Sequence, residues 1–380
     1  TSSPAAVRSR ESAAVITLML TPVYLRELGN YDYGIWEVII SVVGYLGIVD
    51  LGLRPTISRF VATCSGDAPD RVEQARSIFN TSLVLMCGAG VVASGLLVLW
   101  SLLYPEAIAQ EGAPEGRYAL VLQLTALRLL ITFPGAAFES ALEGMLRYVE
   151  KDAVSTLLSV AGAVYMYFRL DDHDPLVLLC VVTLIQAASK AVILALLLSR
   201  DPMRRFAFAL RGWSSARAVE MVRFGSKNLV QGLATLVTRR SKPVVIAWAL
   251  GPEFVVFFTL AQALFRQAGS VIAVTTHALM PGFARLNADG RQHAIRDYFF
   301  VGSRSLFAFH GLIASGIMVY CGDFIRLWVG SEYAEKVSEV AVVMAFGSMV
   351  LGALPLHNRL LVALGRHGPL SLMYVVRAVL

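Results

Sequence analysis

From Thr81 to Tyr104 the chain carries no charged residue at all. A helix needs about 20 mainly apolar residues to cross the hydrocarbon core of a bilayer, so this run is long enough to span one. Apolar segments of similar length recur along the chain, at roughly 8–26, 34–56, 118–141, 153–169, 175–199, 221–248, 253–280, 299–324 and 337–361, with an incomplete one from 368. In lipid, only helices and closed barrels satisfy every backbone N–H and C=O. Barrel strands alternate apolar and polar residues over about ten positions, whereas these runs are continuous. The pattern predicts an all-α polytopic membrane protein with about 11 spans.

Composition agrees. The chain is 56% hydrophobic and only 16% charged, with a mean hydropathy of +0.64, against roughly 25% charged residues in a soluble domain. A net charge of +6 could suggest a nucleic-acid partner. The cations, however, concentrate in alternate connections: Arg71 and Arg76; Arg147 and Lys151; Arg200, Arg204, Arg205, Arg211 and Arg217; Arg285, Arg291 and Arg296; Arg366. The intervening connections are acidic, with Glu106, Glu111 and Glu115, then Asp171, Asp172 and Asp174, then Glu253, then Asp323, Glu332 and Glu335. This alternation follows the positive-inside rule, which excludes nucleic acid and places the amino end and the 201–220 segment in the cytoplasm. The four cysteines show no paired spacing, so neither a disulfide framework nor a zinc site is predicted, and no cofactor motif is present. The chain begins with Thr1 and is still apolar at Leu380, so both ends read as truncated.

The stretch from Arg26 to Phe60 carries the most information. A polar hinge from Glu27 to Tyr33 leads into an apolar span, with Tyr31, Tyr33 and Trp36 at its start, where amphipathic rings favour the membrane boundary. Only Glu37 and Asp50 interrupt the span, and Arg54 follows Asp50 by four residues. Leu28-Gly29, Tyr33-Gly34-Ile35-Trp36, Gly44-Tyr45-Leu46, Asp50-Leu51-Gly52-Leu53 and Ser58-Arg59-Phe60, taken in this order, resemble the second-helix signature of polysaccharide and O-antigen flippases. These are the oligosaccharide transporters of the multidrug/oligosaccharidyl-lipid/polysaccharide exporter superfamily. Phe224-Gly225 and Leu250-Gly251 match the family's seventh-helix outline more loosely, and Arg239-Arg240 stand where an acidic residue often precedes the apolar run.

The resemblance implies two pseudo-repeated six-helix lobes around a central cavity, the fold of multidrug and toxic-compound extrusion (MATE) transporters. On that division, 1–200 is the amino-terminal lobe, 201–220 a cytoplasmic linker and 221–380 an incomplete carboxy-terminal lobe. A weak internal repeat agrees: Leu28-Gly29 precedes Pro55 and Arg59 much as Leu250-Gly251 precedes Pro281 and Arg285, and Pro134 leads Gly144 as Pro355 leads Gly365. The implied activity is alternating-access movement of a polyprenyl-pyrophosphate-linked oligosaccharide across the cytoplasmic (inner) membrane. The implied partners are that lipid-linked oligosaccharide, the membrane lipids, a coupling ion (H+ or Na+) and other polysaccharide-assembly proteins.

Ionisable residues at membrane depth are costly and mark substrate or ion paths. Arg128 lies alone in a long apolar run; Arg239 and Arg240 sit in the seventh span and Arg266 in the eighth. Guanidinium groups pair bidentately with phosphate and stay charged, so Arg128, Arg239, Arg240, Arg266 and Arg54 are the expected substrate-binding residues. Asp50 and Glu37 form an expected ion-coupling or structural pair. Lys190 reads as a further intramembrane cation, and Asp171 to Asp174 read as a solvated acidic loop. Two rivals compete. A cation-coupled drug antiporter of the same superfamily favours a carboxylate-rich cavity, which the cationic excess opposes. A membrane-embedded polymerase or glycosyltransferase needs a large external catalytic loop, and the external loops are short.

Overall fold

A computed structural model of the protein describes residues 4–50, 52–64, 69–103, 116–169, 174–200, 212–226, 229–350, 352 and 354–364. Every regular element among these residues is helical. Helix α1 (Pro4–Leu46) is followed by a 3-10 turn at Gly47–Asp50 and then by α2 (Leu53–Thr63), α3 (Pro69–Leu103), α4 (Arg117–Gly144), α5 (Tyr148–Arg169), α6 (Pro175–Ser199) and α7 (Ser215–Ser226). The remaining elements are α8 (Leu229–Leu250), α9 (Pro252–Ala288), α10 (Gln292–Trp328), α11 (Ser331–Val350) and α12 (Leu354–Ala363). Five stretches among the described residues are long and apolar enough to cross a membrane: Thr21–Asp50, Asp70–Leu103, Arg117–Gly144, Pro175–Ser199 and Gln292–Trp328. A sixth arises if α11 and α12, bent by 43°, form one broken span. By length and composition the sequence reading of about 11 therefore counts more spans than this criterion does. Helices such as α8, with Arg239, Arg240 and Lys242, carry their own charges.

The predicted polar hinge is a kink inside α1 at Gly29, whose φ of 70° and ψ of 174° lie in a region open essentially to glycine. The predicted span 34–56, in contrast, is not one helix. It stops at Leu46, tightens into the 3-10 turn, and restarts at Leu53. Asp50 organises the break: its Oδ1 accepts from the Gly52 backbone N–H at 2.8 Å and its Oδ2 accepts from Arg54 Nε at 3.2 Å. Tyr33 and Trp36, at the entry to this stretch, are buried in protein, with 8% and 9% exposure.

The chain divides into two compact units, Thr1–Leu236 and Val237–Leu380. In the first, α4 is central, packing against α2, α3 and α6, while α1 lies on α5. Small residues let these helices approach: a Cβ on Gly90 of α3 would sit 3.1 Å from Phe133 Cβ of α4, and one on Gly144 would sit 2.7 Å from the Ser58 carbonyl oxygen of α2. Ile35, Ile39, Ile57, Phe79, Met86, Leu122 and Phe133 fill the interior. In the second unit, α9 packs on α10, α11 and α12, around Ile272, Phe283, Ile295, Leu306 and Leu356. Large apolar side chains such as Leu102, Leu157, Phe168, Leu196, Leu312 and Leu327 point outward. A soluble protein rarely tolerates so much exposed apolar surface; lipid does.

Candidate functional site: a polar pocket between α4, α5 and α6

The first unit contains a pocket of about 210 Å³. Its α4 wall is Arg128, Thr132, Gly135 and Glu139, spaced four, three and four residues apart, which puts all of them on one helix face. Ser155 and Ser159 of α5 and Thr183, Gln186 and Lys190 of α6 complete its polar lining. Gly135 faces Ala191 across the α4–α6 contact, where a Cβ would lie 3.5 Å from the alanine methyl.

The donors of this pocket divide sharply. The Thr132 hydroxyl donates to the Arg128 carbonyl at 2.8 Å, Ser155 to the Lys151 carbonyl at 3.0 Å, Ser159 to the Ser155 carbonyl at 2.9 Å and Thr183 to the Cys180 carbonyl at 3.0 Å. Gln186 Nε2 donates to the Leu158 carbonyl at 3.0 Å. Lys190 Nζ is paired with Glu139 Oε1 at 2.7 Å. Arg128 differs: among the described residues no carboxylate lies within ion-pairing distance of it, and no protein acceptor takes its guanidinium hydrogens. A guanidinium has five N–H donors and no acceptor. What completes this site must bring acceptors.

The other expected residues lie elsewhere. Arg54 and Asp50 bind each other at the α1–α2 break and do not line the pocket, and neither does half-buried Glu37. Arg240 of α8 is half-buried and Arg266 of α9 exposed, both in the second unit. Arg239 also belongs to α8, but its side chain lies outside the described residues, as do Lys227 and Asp171 to His173.

A second polar cluster escaped the sequence reading. Arg117, at the start of α4, binds Asp32 of α1 through two hydrogen bonds, Nη2 to Oδ2 at 2.6 Å and Nη1 to Oδ1 at 3.1 Å. It also reaches Asp174 through Nε and, at 2.9 Å, through Nη2. The Tyr118 hydroxyl donates to Asp32 Oδ1 at 2.9 Å. Asp174 is therefore not a freely solvated loop carboxylate. Its Oδ1 also accepts from the backbone N–H groups of Leu176 and Val177 and so caps α6, with Pro175 in the first turn. Burial alone would raise the Asp174 carboxyl, but the Arg117 and backbone hydrogen bonds outweigh it and hold the group below its ordinary value. The Asp-Pro pair is the sequence signal that could have marked this helix start.

Comparison with known proteins gives a consistent picture. A MATE-family multidrug resistance transporter of the MOP superfamily, solved facing inward, is similar over 100% of this chain and 85% of its own length, with 16% identity and a TM-score of 0.67. A MOP-superfamily transporter from Pyrococcus furiosus, described as having a binding pocket of reverse polarity that suggests a different function, matches over 99% and 84%, with 15% identity and a TM-score of 0.56. A mutant of the Vibrio cholerae MATE transporter VcmN matches over 99% and 84%, with 15% identity and a TM-score of 0.58. No curated protein sequence matches the chain significantly. These likenesses establish the fold: the all-helical, multi-pass fold of MATE transporters. The family profile described as polysaccharide biosynthesis protein matches residues 12–287, well over half of the chain, and the protein is a member of that family.

Proposed function

We propose that the protein is a flippase that carries a polyprenyl-pyrophosphate-linked oligosaccharide across the cytoplasmic membrane by alternating access. The observation that carries this reading is Arg128, a half-buried guanidinium facing a polar pocket with no carboxylate partner among the described residues. An unpaired cation inside an apolar helix is expensive and is kept where a ligand uses it. A pyrophosphate supplies the acceptors that Arg128 lacks, and the family match supplies the pathway class in which such a lipid occurs. Arg54, Arg240 and Arg266, with Arg239, remain the further residues proposed to meet the anionic head as it moves. H+ or Na+ is the proposed coupling ion, and polysaccharide-assembly proteins are the proposed neighbours in the membrane.

A drug antiporter of the same fold needs a carboxylate free to receive a cation. In this pocket Glu139 is already bound to Lys190. The test is transbilayer movement of a fluorescent polyprenyl-pyrophosphate oligosaccharide in proteoliposomes. The wild type is expected to move it and Arg128→Ala to lose at least roughly tenfold in rate, the loss expected for a charged hydrogen-bonding group. Movement of a cationic dye in place of the lipid would replace this reading with the antiporter.

A further inference from the structure

The pocket holds two cations in different states. Arg128 is open to a ligand, whereas Lys190 is covered by Glu139. The two stations are separated along α4. Arg128 and Glu139 are eleven residues apart, or about 16 Å of helix rise. Helix α4 begins beside the acidic connection and ends beside the basic one at Arg147 and Lys151. By the positive-inside rule, the Glu139–Lys190 pair then lies toward the cytoplasm and Arg128 nearer mid-membrane. A pocket of about 210 Å³ is smaller than the roughly 300–1,000 Å³ of sites that enclose drug-sized molecules. It has room for a phosphate or pyrophosphate group.

We infer that the α4–α6 pocket is a path for a phosphate-type oxyanion, in which Glu139 masks Lys190 at the cytoplasmic end and must be displaced before the anion reaches Arg128. This deepens the proposed function and rests on it for the identity of the transported lipid, but not for the oxyanion chemistry. The physical basis is charge count. Arg128, Lys190 and Glu139 together leave the pocket one positive charge. An arriving oxyanion competes with the Glu139 carboxylate for the same ammonium, so the carboxylate sets how strongly anions are held. In a medium of low effective dielectric one such charge shifts anion binding by an order of magnitude.

The experiment is calorimetric titration of the purified full chain in lipid nanodiscs, at neutral pH, with inorganic pyrophosphate and in parallel with farnesyl pyrophosphate. Glu139→Gln is expected to tighten binding roughly tenfold over wild type. Adding Lys190→Gln to it is expected to return the affinity to within about twofold of wild type, because the net charge is restored. Arg128→Gln is expected to abolish the wild-type signal. If Glu139→Gln does not fold, Glu139→Asp, one methylene shorter, keeps the charge but loosens its hold on Lys190, and is expected to tighten binding by a smaller factor because the ammonium is more easily unmasked. Tightening for both probes supports the path and identifies the phosphate group alone as the ligand; tightening for farnesyl pyrophosphate only supports it with a lipid carrier as the source. Glu139 variants that lower thermal stability while leaving both affinities unchanged overturn it, because the pair is then only a clasp. The two readings also fail separately. Oxyanion binding in this charge order without lipid transport removes the flippase, whereas transport without the charge order removes the path.

Discussion

At the residue scale, Arg117 shows how much a single guanidinium can hold. It joins α1, α4 and the cap of α6, with its side chain 13% exposed and that of Asp32 11% exposed. Removing one partner of such a cluster leaves a poorly solvated charge behind, a loss on the order of 3 kcal/mol. Arg117→Gln is expected to lower the melting temperature of the detergent-solubilised protein well below that of a surface variant such as Arg326→Gln, whose pair with Asp323 is exposed. The pH dependence has a definite sign. Asp174 is held below its ordinary value in the folded state, so its contribution is complete above the unfolded carboxylate value of about 3.9 and is lost as the pH falls through the folded value. Asp174→Asn keeps an N-capping side chain and removes the charge. Its melting temperature is therefore expected to fall less steeply than the wild type's on acidification, and equal slopes for the two proteins would show that Asp174 does not carry this linkage. The cluster itself was not legible in the sequence, because Arg117 meets Asp174 and Asp32 from 57 and 85 residues away. Arg128 was legible, because a lone charge in an apolar run is conspicuous without any knowledge of its neighbours.

At the element scale, the chain uses glycine twice in the same way. Gly29 kinks α1 and Gly251 precedes Pro252 at the start of α9, with φ of 70° and 112° and ψ of 174° and 153°. Both combinations are nearly closed to residues with a Cβ. The likeness between Leu28-Gly29 and Leu250-Gly251, slight as sequence, is a likeness of backbone. Gly29→Ala or Gly251→Ala is expected to cost on the order of 1–3 kcal/mol in thermal or denaturant unfolding. Gly47→Ala, whose methyl would meet open space and whose φ is not positive, is expected to stay within about 0.5 kcal/mol of wild type. The repeat then diverges. Helix α9 runs from Pro252 to Ala288 through Pro281, while the corresponding stretch after Gly29 breaks at Gly47–Asp50. Hydrophobicity cannot report that break, because Gly47, Ile48 and Val49 are as apolar as the helix they end. What ends it is Asp50, which turns its carboxylate to the Gly52 N–H and Arg54, and the backbone of α7, which passes so close that a Cβ on Gly52 would lie 2.8 Å from the Gly225 carbonyl oxygen.

At the scale of the whole molecule, apolar patterning made the fold class readable, because lipid selects for helices and tolerates few alternatives. It did not fix the helix ends. Helix α3 starts at Pro69, well before the charge-free run at Thr81, and α10 begins at Gln292, before the span predicted from 299. These extensions are more polar turns, where hydropathy no longer distinguishes helix from loop. Orientation depends on a different signal, the alternation of basic and acidic connections. The charges predict that the basic segment 200–217 and the turn at Arg147 and Lys151 lie on the cytoplasmic side, and the acidic segment 106–115 on the opposite one. This is a strong constraint, because α4 joins an acidic connection to a basic one and α6 does the same, with α5 returning between them. A single error in the number of crossings would reverse every later side. Reporter fusions after residues 110 and 205 test it directly. An alkaline phosphatase fused after 110 is expected to be active and one fused after 205 inactive, with a cytoplasmic fluorescent reporter giving the reverse pattern. Equal activity at both sites would mean that an even number of crossings separates them, where the charges require an odd number, and would remove the basis for placing the Glu139–Lys190 pair toward the cytoplasm.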